Sequence, residues 1–383
     1  MFNFFRSRHR QIATQVAALE KYDIKPALRQ RLSAFFQEGD SRELYHANPR
    51  LIAERLQISE IETLRLLTVA LKEGLVTLHW DLKCPGCGGI DCNMKKLGEM
   101  RTFHACSYCR HRHAVDADEQ VRVTFSIDER LRKLNPKPDD IKFRSEVDAK
   151  YGVVSGHRLL TLQMFRDLFP RETIPPNESL IIRRVAILFT DLTGSTALYS
   201  RRGDSQAYTL VRQHFDILFR LVDQYQGAAI KTIGDAIMAA FTEPEQALQA
   251  AIAMHQEIAR FNQTLQLPSE DQLILKIGID VGPCISVTLN ERLDYFGTTV
   301  NTAARVQATS QGQNIACTEA VLDDPKVAAI AQNYSSVRRN LSLKGLSTPL
   351  DILYLQITGN REQGTGKREK GIGNREEGIG NRE

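Results

Sequence analysis

The chain has 383 residues, of which 42% are hydrophobic and 25% are charged, and its formal net charge is +4. This length allows two or three domains, and the composition is typical of a soluble globular protein. The net charge is too small to indicate nucleic acid or an anionic membrane as a partner. No apolar run approaches the roughly 18 residues of a membrane-spanning helix. We therefore expect a cytoplasmic protein without a membrane partner.

Residues 1–80 are predicted to be helical and to end in a winged-helix-like unit. Ser59 and Glu62 form a capping-box pattern that opens a helix, Gly74 ends that helix, and a strand follows over residues 75–80. Helix, turn, helix and strand in this order are typical of a winged helix.

The charge of the second helix in this unit disfavours binding to nucleic acid. Three glutamates accompany its basic residues Arg65 and Lys72, whereas a recognition helix presents more positive charge to phosphates. We therefore expect residues 1–80 to be a regulatory region that packs or contacts protein, on which an upstream signal or partner acts. DNA binding remains the alternative.

Residues 81–127 contain two cysteine pairs, Cys84-x-x-Cys87 and Cys106-x-x-Cys109, separated by eighteen residues. Paired knuckles at this spacing present four thiolates tetrahedrally, which predicts a zinc ribbon with one structural Zn²⁺. A redox-sensing variant, in which oxidation releases the zinc, is a second interpretation. Further potential ligands leave the exact set open, namely Cys92, His104, His111 and His113. Cys284 and Cys317 stand apart in apolar runs, and we expect them to be buried.

The remaining chain is divided by prolines and by a change in composition. Residues 128–180 are predicted to be a connector with a short helix over 159–168, and residues 181–357 a second folded half. In residues 358–383 the unit Gly-x-Arg-Glu-x-Gly-x recurs every seven positions, mostly with asparagine in second place and with almost no apolar residues. This repeat lacks the apolar positions of a coiled coil, so we expect it to be disordered.

The second half has the pattern of an α+β fold. Helices are predicted over 204–222, 244–261 and 297–306, a hairpin over 227–241, and a strand over 273–280. Together with a first strand that ends at Asp191, this order predicts a ferredoxin-like βαββαβ unit.

Two strand ends in this half carry aspartates, Asp191 and Asp235. Carboxylates at the ends of adjacent strands can hold two divalent cations about 4 Å apart, an arrangement used for in-line phosphoryl chemistry. We therefore expect two Mg²⁺ or Mn²⁺ ions. Directly after Asp191, the turn formed by Thr193, Gly194, Ser195 and Thr196 opens a helix, whose free N–H groups would bind a triphosphate.

Four further residues suit a purine nucleotide. The N1/N6 edge of adenine offers one acceptor and one donor, which Lys231 and Asp294 complement, whereas guanine presents the reverse pattern. Asn301 and Arg305 are four positions apart on one helix and therefore share a face. The arginine can stabilise charge on a reacting phosphorus, and the asparagine can orient a sugar oxygen.

The segment from about 184 to 357 resembles the class III nucleotidyl cyclase catalytic domain, the adenylate and guanylate cyclase family. The resemblance rests on Phe-Thr-Asp-Leu-Thr-Gly-Ser-Thr at 189–196, Lys-Thr-Ile-Gly-Asp at 231–235, Asp-Tyr-Phe-Gly-Thr-Thr-Val-Asn-Thr-Ala-Ala-Arg at 294–305 and Leu-Lys-Gly-Leu at 343–346. The first half more loosely resembles a domain that accompanies some bacterial cyclases.

The resemblance assigns roles to individual residues. It implies that Asp191 and Asp235 bind metal together with the backbone carbonyl of Leu192, and that Lys231 and Asp294 select adenine. It further implies that Asn301 and Arg305 stabilise the transition state and that Lys344 contacts the triphosphate.

The implied reaction converts ATP to 3′,5′-cyclic AMP and pyrophosphate for intracellular signalling, at sites shared between the subunits of a homodimer. A guanylate cyclase is one alternative. Another is a catalytically silent nucleotide-binding regulator whose first half binds DNA or protein.

The chain departs from the family pattern after Gly282-Pro283, where residues 284–290 replace a glycine-spaced hairpin. The loop that would supply a further arginine to the triphosphate is therefore altered. Arg292 is the candidate for that position.

Overall fold

The structure is a computed structural model that describes residues 2–134, 138–346 and 348–357, with the backbone alone for residues 2–8, 92 and 93. The predicted repeat tail, 358–383, lies outside the described residues. The helices are α1 Phe2–Ala17, α2 Pro26–Glu38, α3 Pro49–Leu56, α4 Glu60–Lys72, α5 Ile141–Tyr151, α6 Gly156–Leu160, α7 Gln163–Leu168, α8 Ser195–Arg202, α9 Asp204–Gln224, α10 Pro244–Thr264, α11 Thr298–Thr309, α12 Glu319–Leu322 and α13 Pro325–Ala331.

The strands form one large sheet in the second half and two small sheets in the first. They are β1 Val76–Lys83, β2 Ile90–Met94, β3 Phe103–Ala105, β4 Arg112–Ala114, β5 Val121–Ile127, β6 Leu180–Leu192, β7 Ala228–Ile233, β8 Ala236–Phe241, β9 Leu275–Leu289, β10 Arg292–Phe296, β11 Asn314–Thr318, β12 Ser335–Leu341 and β13 Leu350–Gln356. No helix of the described chain is long and apolar enough to cross a membrane.

The first half contains the predicted order of helices and strand. The side chain of Ser59 accepts a hydrogen bond from the Glu62 N–H and that of Glu62 accepts one from the Ser59 N–H, so the capping box at the start of α4 is confirmed. Gly74 follows α4 with a φ of 70°, which a side chain would disfavour. β1 then pairs antiparallel with both β2 and β5.

The helix α4 packs inside the protein. Its residues from Leu66 to Ala70 are all buried, and its Arg65 guanidinium donates to the Asp223 carboxylate of α9 at 2.9 Å. The helix α4 thus joins the first half to α9 of the second half.

The large sheet has the order β12-β13-β11-β9-β6-β8-β7, with β10 paired to β9. Within it, β8 lies between β6 and β7, and β6 lies between β8 and β9. Each β-α-β unit is thus split by a strand of the other, which is the ferredoxin-like plan. The predicted α+β architecture of this half is confirmed.

One strand, β9, is longer than predicted because a proline sits at a bulge. β9 continues past residue 280 to Leu289, and its register to β6 shifts so that Pro283 faces both Arg183 and Arg184. A bulge tolerates a residue that lacks an N–H, so Pro283 does not end the strand. The hairpin to β10 turns at Asn290 and Glu291, both with positive φ.

The two faces of this sheet belong to different hydrophobic cores. Leu188 and Ile237 pack under α9 and α10, whereas Ile187 and Met238 belong to the core that continues into the first half, including Trp80. Because side chains alternate between the two faces along a strand, β6 and β8 each contribute to both cores.

The predicted connector is folded against both halves. The helix expected over 159–168 is divided into α6 and α7, since the Ser155 hydroxyl caps α6 and Leu162 has an extended backbone between the helices. Backbone hydrogen bonds also join Ile181 of β6 to Val115 and Ala117. The two halves are therefore continuous in packing and in backbone pairing.

Candidate active site

The two predicted metal-binding aspartates lie at one end of the sheet. Asp191 is near the end of β6, and Asp235 follows the tight turn between β7 and β8 at Gly234, whose φ is 62°. Burial raises the pKa of the Asp191 carboxyl, and the charge of Asp235 raises it further, while Lys276 lowers it. The two carboxylates are therefore close enough to repel each other.

The pair fits a divalent cation. The Oδ2 atom of Asp235 is buried and has no hydrogen-bond partner among the described residues. A buried carboxylate oxygen without a donor is costly, and a cation would satisfy it and relieve the repulsion with Asp191. Mg²⁺ or Mn²⁺ held by these oxygens would supply charge neutralisation for a phosphate and acidify a coordinated hydroxyl.

The turn after β6 presents the start of a helix. Gly194 adopts a φ of 71° and precedes α8 without a side-chain cap on the helix N–H groups. The Thr193 N–H is engaged with the Ile274 carbonyl at 2.8 Å. The anion-binding capacity predicted for residues 193–196 therefore falls to Ser195, Thr196 and Gly194 rather than to the Thr193 amide.

The predicted base-reading residues are in direct contact. The Lys231 ammonium donates to the Asp294 carboxylate at 2.7 Å, with 33% of the lysine and 7% of the aspartate side chain exposed. The second carboxylate oxygen of Asp294 accepts from the Tyr295 N–H at 2.8 Å, and the Lys231 ammonium lies 5.3 Å from the centre of the Phe296 ring. β7 and β10 thus present one donor and one acceptor side by side.

The predicted transition-state residues lie on α11, and the predicted triphosphate lysine lies on a loop beside it. Asn301 is exposed and Arg305 is half-buried, one turn apart. Gly345 has a φ of 76°, and a Cβ added to it would lie 3.0 Å from a guanidinium nitrogen of Arg305. The loop that carries the exposed Lys344 therefore passes directly over Arg305.

The four knuckle cysteines converge in the first half. Their sulfur atoms lie within 4.8 Å of one another, and the pairs Cys84–Cys109 and Cys87–Cys106 are 3.7 Å apart. Sulfurs of a tetrahedral site with Zn–S bonds of about 2.3 Å are separated by roughly 3.8 Å. Burial acts to raise the pKa of Cys84, but neighbouring N–H groups and thiols outweigh it and lower the pKa to about 7.

The other potential zinc ligands do not join this cluster where their side chains are described. His104 Nε2 donates to the Asp91 carboxylate at 2.7 Å, and the rings of His111 and His113 stack on each other with centres 5.7 Å apart. The Cys92 side chain lies outside the described residues. The solitary Cys284 and Cys317 are buried, as predicted.

The sequence was compared with known protein families. Residues 179–355 match the family described as the adenylate and guanylate cyclase catalytic domain. This half is therefore similar to a cyclase catalytic domain. Residues 10–159 match a family of unknown function, which covers the helices α2 to α5 and the cysteine cluster.

The cyclase domain has relatives in both nucleotide classes. The putative adenylate cyclase 3 of Rhizobium meliloti is 30% identical over 144 residues, 38% of this chain and 24% of that protein. The adenylate cyclase of Anabaena cylindrica is 30% identical over 152 residues, 37% of this chain and 30% of that protein. Guanylate cyclase 32E of Drosophila melanogaster is 26% identical over 180 residues, 44% of this chain and 15% of that protein. The chain spans less than a third of the length of these curated relatives.

The cyclase domain was also compared with solved structures. The crystal structure of the adenylyl cyclase CyaB from P. aeruginosa aligns with 49% of this chain and 100% of its own, with 22% identity and a TM-score of 0.41. Because relatives of both classes match the sequence, the base must be inferred from the residues that would contact it.

Sequence reasoning missed three residues near these sites. Lys276 faces Asp191 across the β6–β9 pair, and the alternation of β9 could have placed it there once the register was known. Gln163 and Arg166 of α7 contact the strands that carry Lys231 and Asp294. No local pattern marks them, because their partners are more than 60 positions away.

Proposed function

We propose that this protein is an adenylate cyclase that converts ATP to 3′,5′-cyclic AMP and pyrophosphate. The observation that carries the proposal is the contact between Lys231 and Asp294, at 2.7 Å. Its donor complements adenine N1 and its acceptor complements the adenine N6 amino group. A guanine would place its N1–H against the lysine and its O6 against the carboxylate, so both contacts would be repulsive.

Each group of site residues has its own role in the reaction. The ribose 3′-oxygen attacks the α-phosphorus, the bond from that phosphorus to the bridging oxygen breaks, and pyrophosphate leaves with the electron pair. Arg305 stabilises the charge on the reacting phosphoryl group and Asn301 orients the ribose. Lys344 and the N–H groups at the start of α8 hold the triphosphate, and Asp191, Asp235 and the Leu192 carbonyl hold two Mg²⁺ or Mn²⁺ ions.

The proposal includes a homodimer with two equivalent sites. The aspartates would come from one subunit, and the base-reading and transition-state residues from the other. A C2 dimer then contains both sets twice, because each chain carries both.

The proposal also includes one structural Zn²⁺ on Cys84, Cys87, Cys106 and Cys109. The sulfur separations support this assignment. All four positions are filled by protein, so the metal would stabilise the first half and take no part in the chemistry.

The test is product formation by the full chain from ATP and, separately, from GTP, with Mg²⁺ or Mn²⁺. Wild type, Asp235→Ala and the control Asp216→Ala, an exposed aspartate on α9, are compared. We expect cyclic AMP from wild type and the control and none from Asp235→Ala. Cyclic GMP as the main product would refute the assignment of the base. The absence of product from both nucleotides would refute the proposal that the protein is a cyclase.

A further inference from the structure

The base-reading strands are held by the predicted connector. Of the strands that carry Lys231 and Asp294, β7 is the last in the order of the large sheet, and β10 pairs with β9 alone among the described strands. Each strand therefore has a free edge, and an uncovered edge presents unpaired N–H and C=O groups. Residues of α6 and α7 lie against both of these strands.

The contact to β7 is made by a side-chain amide. The Gln163 carbonyl oxygen accepts a hydrogen bond from the Ala229 N–H at 2.8 Å. The register of β7 to β8 shifts between Ala229 and Lys231. Gln163 therefore holds the strand at the irregularity that determines where the Lys231 side chain points.

The contact to β10 is made by a guanidinium. Arg166 donates to the Leu293 carbonyl at 2.6 Å and to the Leu160 carbonyl at 3.4 Å. Within the described residues, these two carbonyls are its hydrogen-bond partners, and it forms no ion pair with a carboxylate. Burial lowers the pKa of Arg166, while Tyr295 and the neighbouring Asp294 raise it.

Placing an arginine in this setting has a desolvation cost. A half-buried cation that gains only carbonyl partners loses much of its hydration without an ion pair. Its carbonyl partner Leu293 directly precedes Asp294 in β10. The arginine therefore fixes the backbone from which the Asp294 carboxylate projects.

A second contact to β10 comes from α6. The buried His157 ring meets Tyr295 edge-on, with centres 5.9 Å apart, and its Nδ1 atom pairs with Asp118 at 2.7 Å. Leu293 and Tyr295, on each side of Asp294, are thus both contacted by the connector. A pocket of about 660 Å³ beside the contact between α7 and β7 is lined by Lys231, Gln163 and Arg292.

We propose that Gln163 and Arg166 are positioning residues that set the separation of Lys231 and Asp294 and so determine base selectivity. The inference rests on the proposed function, because it treats this pair as the site that reads the base. A shift of α7 would move β7 relative to β10, because the helix contacts both strands. A displacement near 1 Å can change the rate about a hundredfold.

The test measures kcat and KM for ATP and for GTP with full-length Arg166→Met, Gln163→Met and Arg166→Lys. The matched control is Arg65→Met, which removes a different contact between the halves, the one from Arg65 of α4 to Asp223 of α9. We expect Arg166→Met and Gln163→Met to lower the ratio of kcat/KM for ATP to that for GTP about tenfold or more. Arg166→Lys should recover part of the ratio, and Arg65→Met should leave it unchanged.

A purely structural role gives a different result. In that case all variants lower kcat for both nucleotides equally and leave the ratio unchanged, which would overturn the inference. Equilibrium displacement of a fluorescent ATP analogue by ATP and by GTP is measured in parallel. If wild type forms no cyclic nucleotide, the proposed function fails, yet the same change in relative affinity still supports the inference and its absence overturns it.

Discussion

The Lys231 ammonium contacts the Asp294 carboxylate at 2.7 Å although the residues are 63 positions apart in the chain. Each partner has a further contact, because Asp294 also accepts from the Tyr295 N–H and the Lys231 ammonium lies 5.3 Å from the centre of the Phe296 ring. A donor and an acceptor are thereby fixed at a distance that matches neighbouring atoms on the edge of a base. Removing one of them should change binding and stability in a way that depends on the base.

Lys231→Met is expected to lower kcat/KM for ATP by about ten- to a hundredfold, the effect of losing one charge-assisted hydrogen bond. The value for GTP should fall much less, because the lysine opposes guanine. Steady-state kinetics with both nucleotides measures this. Lys326→Met, which removes an exposed lysine paired with Glu245 at 3.2 Å, is the control and should change neither value. Equal losses for ATP and GTP would contradict the assigned contact.

Mixing two inactive variants should restore activity if the sites are shared. Asp235→Ala and Arg305→Ala together are expected to give about a quarter of wild-type activity, since half of the randomly formed dimers contain one intact site of two. The cyclic AMP yield after subunit exchange is the measurement. The matched control is Asp235→Ala with Asp191→Ala, which leaves every site without a complete metal pair. Recovery in the control, or none in the first mixture, would exclude shared sites.

The repulsion at Asp191 predicts a pH-dependent stability in protein freed of Mg²⁺ and Mn²⁺. Burial and Asp235 raise the pKa of Asp191 above its usual 3.8, so the native state binds this proton more tightly than the unfolded chain. The contribution of Asp191 to native stability is therefore fully present below pH 3.8 and is lost as the pH rises through the folded pKa.

Asp191→Asn abolishes this decline because asparagine does not ionise. The variant should be inactive yet more stable than wild type at pH 7, by about 1 kcal/mol or less because the site is partly exposed. Urea unfolding across the pH range measures the difference. Asp216→Asn is the control and should follow wild type. A wild-type stability that is unaffected by the substitution at every pH would contradict the predicted repulsion.

The cysteine cluster predicts about one zinc per chain in purified protein. Cys106→Ser, at a buried position of the cluster, should lose the metal and lower the unfolding temperature. Cys284→Ala, a buried cysteine outside the cluster, should keep it. Metal analysis and calorimetry provide the measurements. Full zinc content in Cys106→Ser would show that this sulfur is not a ligand.

The position of Gly345 beside Arg305 leads to a prediction about the reaction rate. Gly345→Ala combines a positive φ with a Cβ that would lie 3.0 Å from the guanidinium, so the loop or Arg305 must move. The added backbone strain of about 1–2 kcal/mol displaces the loop. We expect kcat to fall tenfold or more, because Arg305 is displaced with it. Gly203→Ala has the same sign of φ, and no atom of the described residues lies within 4 Å of the added Cβ. It should cost stability and leave kcat unchanged.

The order of helices and strands in the second half was predictable from periodicity, because each element is amphipathic or apolar over its own length. The length of β9 was not, since Gly282-Pro283 resembles a turn and only the pairing with Arg183 and Arg184 turns it into a bulge. Local signals describe a strand, but its partner decides how a proline in it is accommodated.

The site was predictable where its residues sit in short contiguous motifs. The contacts of Arg166 and Gln163 were not, because the single helix predicted over 159–168 hides the break at Leu162 that separates α6 from α7. Apolar residues on both sides of this break are buried, so the hydrophobic pattern contains no mark of it. Such tertiary contacts form only after distant strands have assembled.

The core shared by the two halves has a consequence for how this chain can be divided. A fragment that begins at β6 would expose Ile187 and Met238, which are fully buried in the intact protein. Such a fragment presents a broad apolar surface to water and is prone to self-association. The two halves of this protein are therefore poor candidates for use apart from each other, and rearrangement of its gene would have to preserve both together.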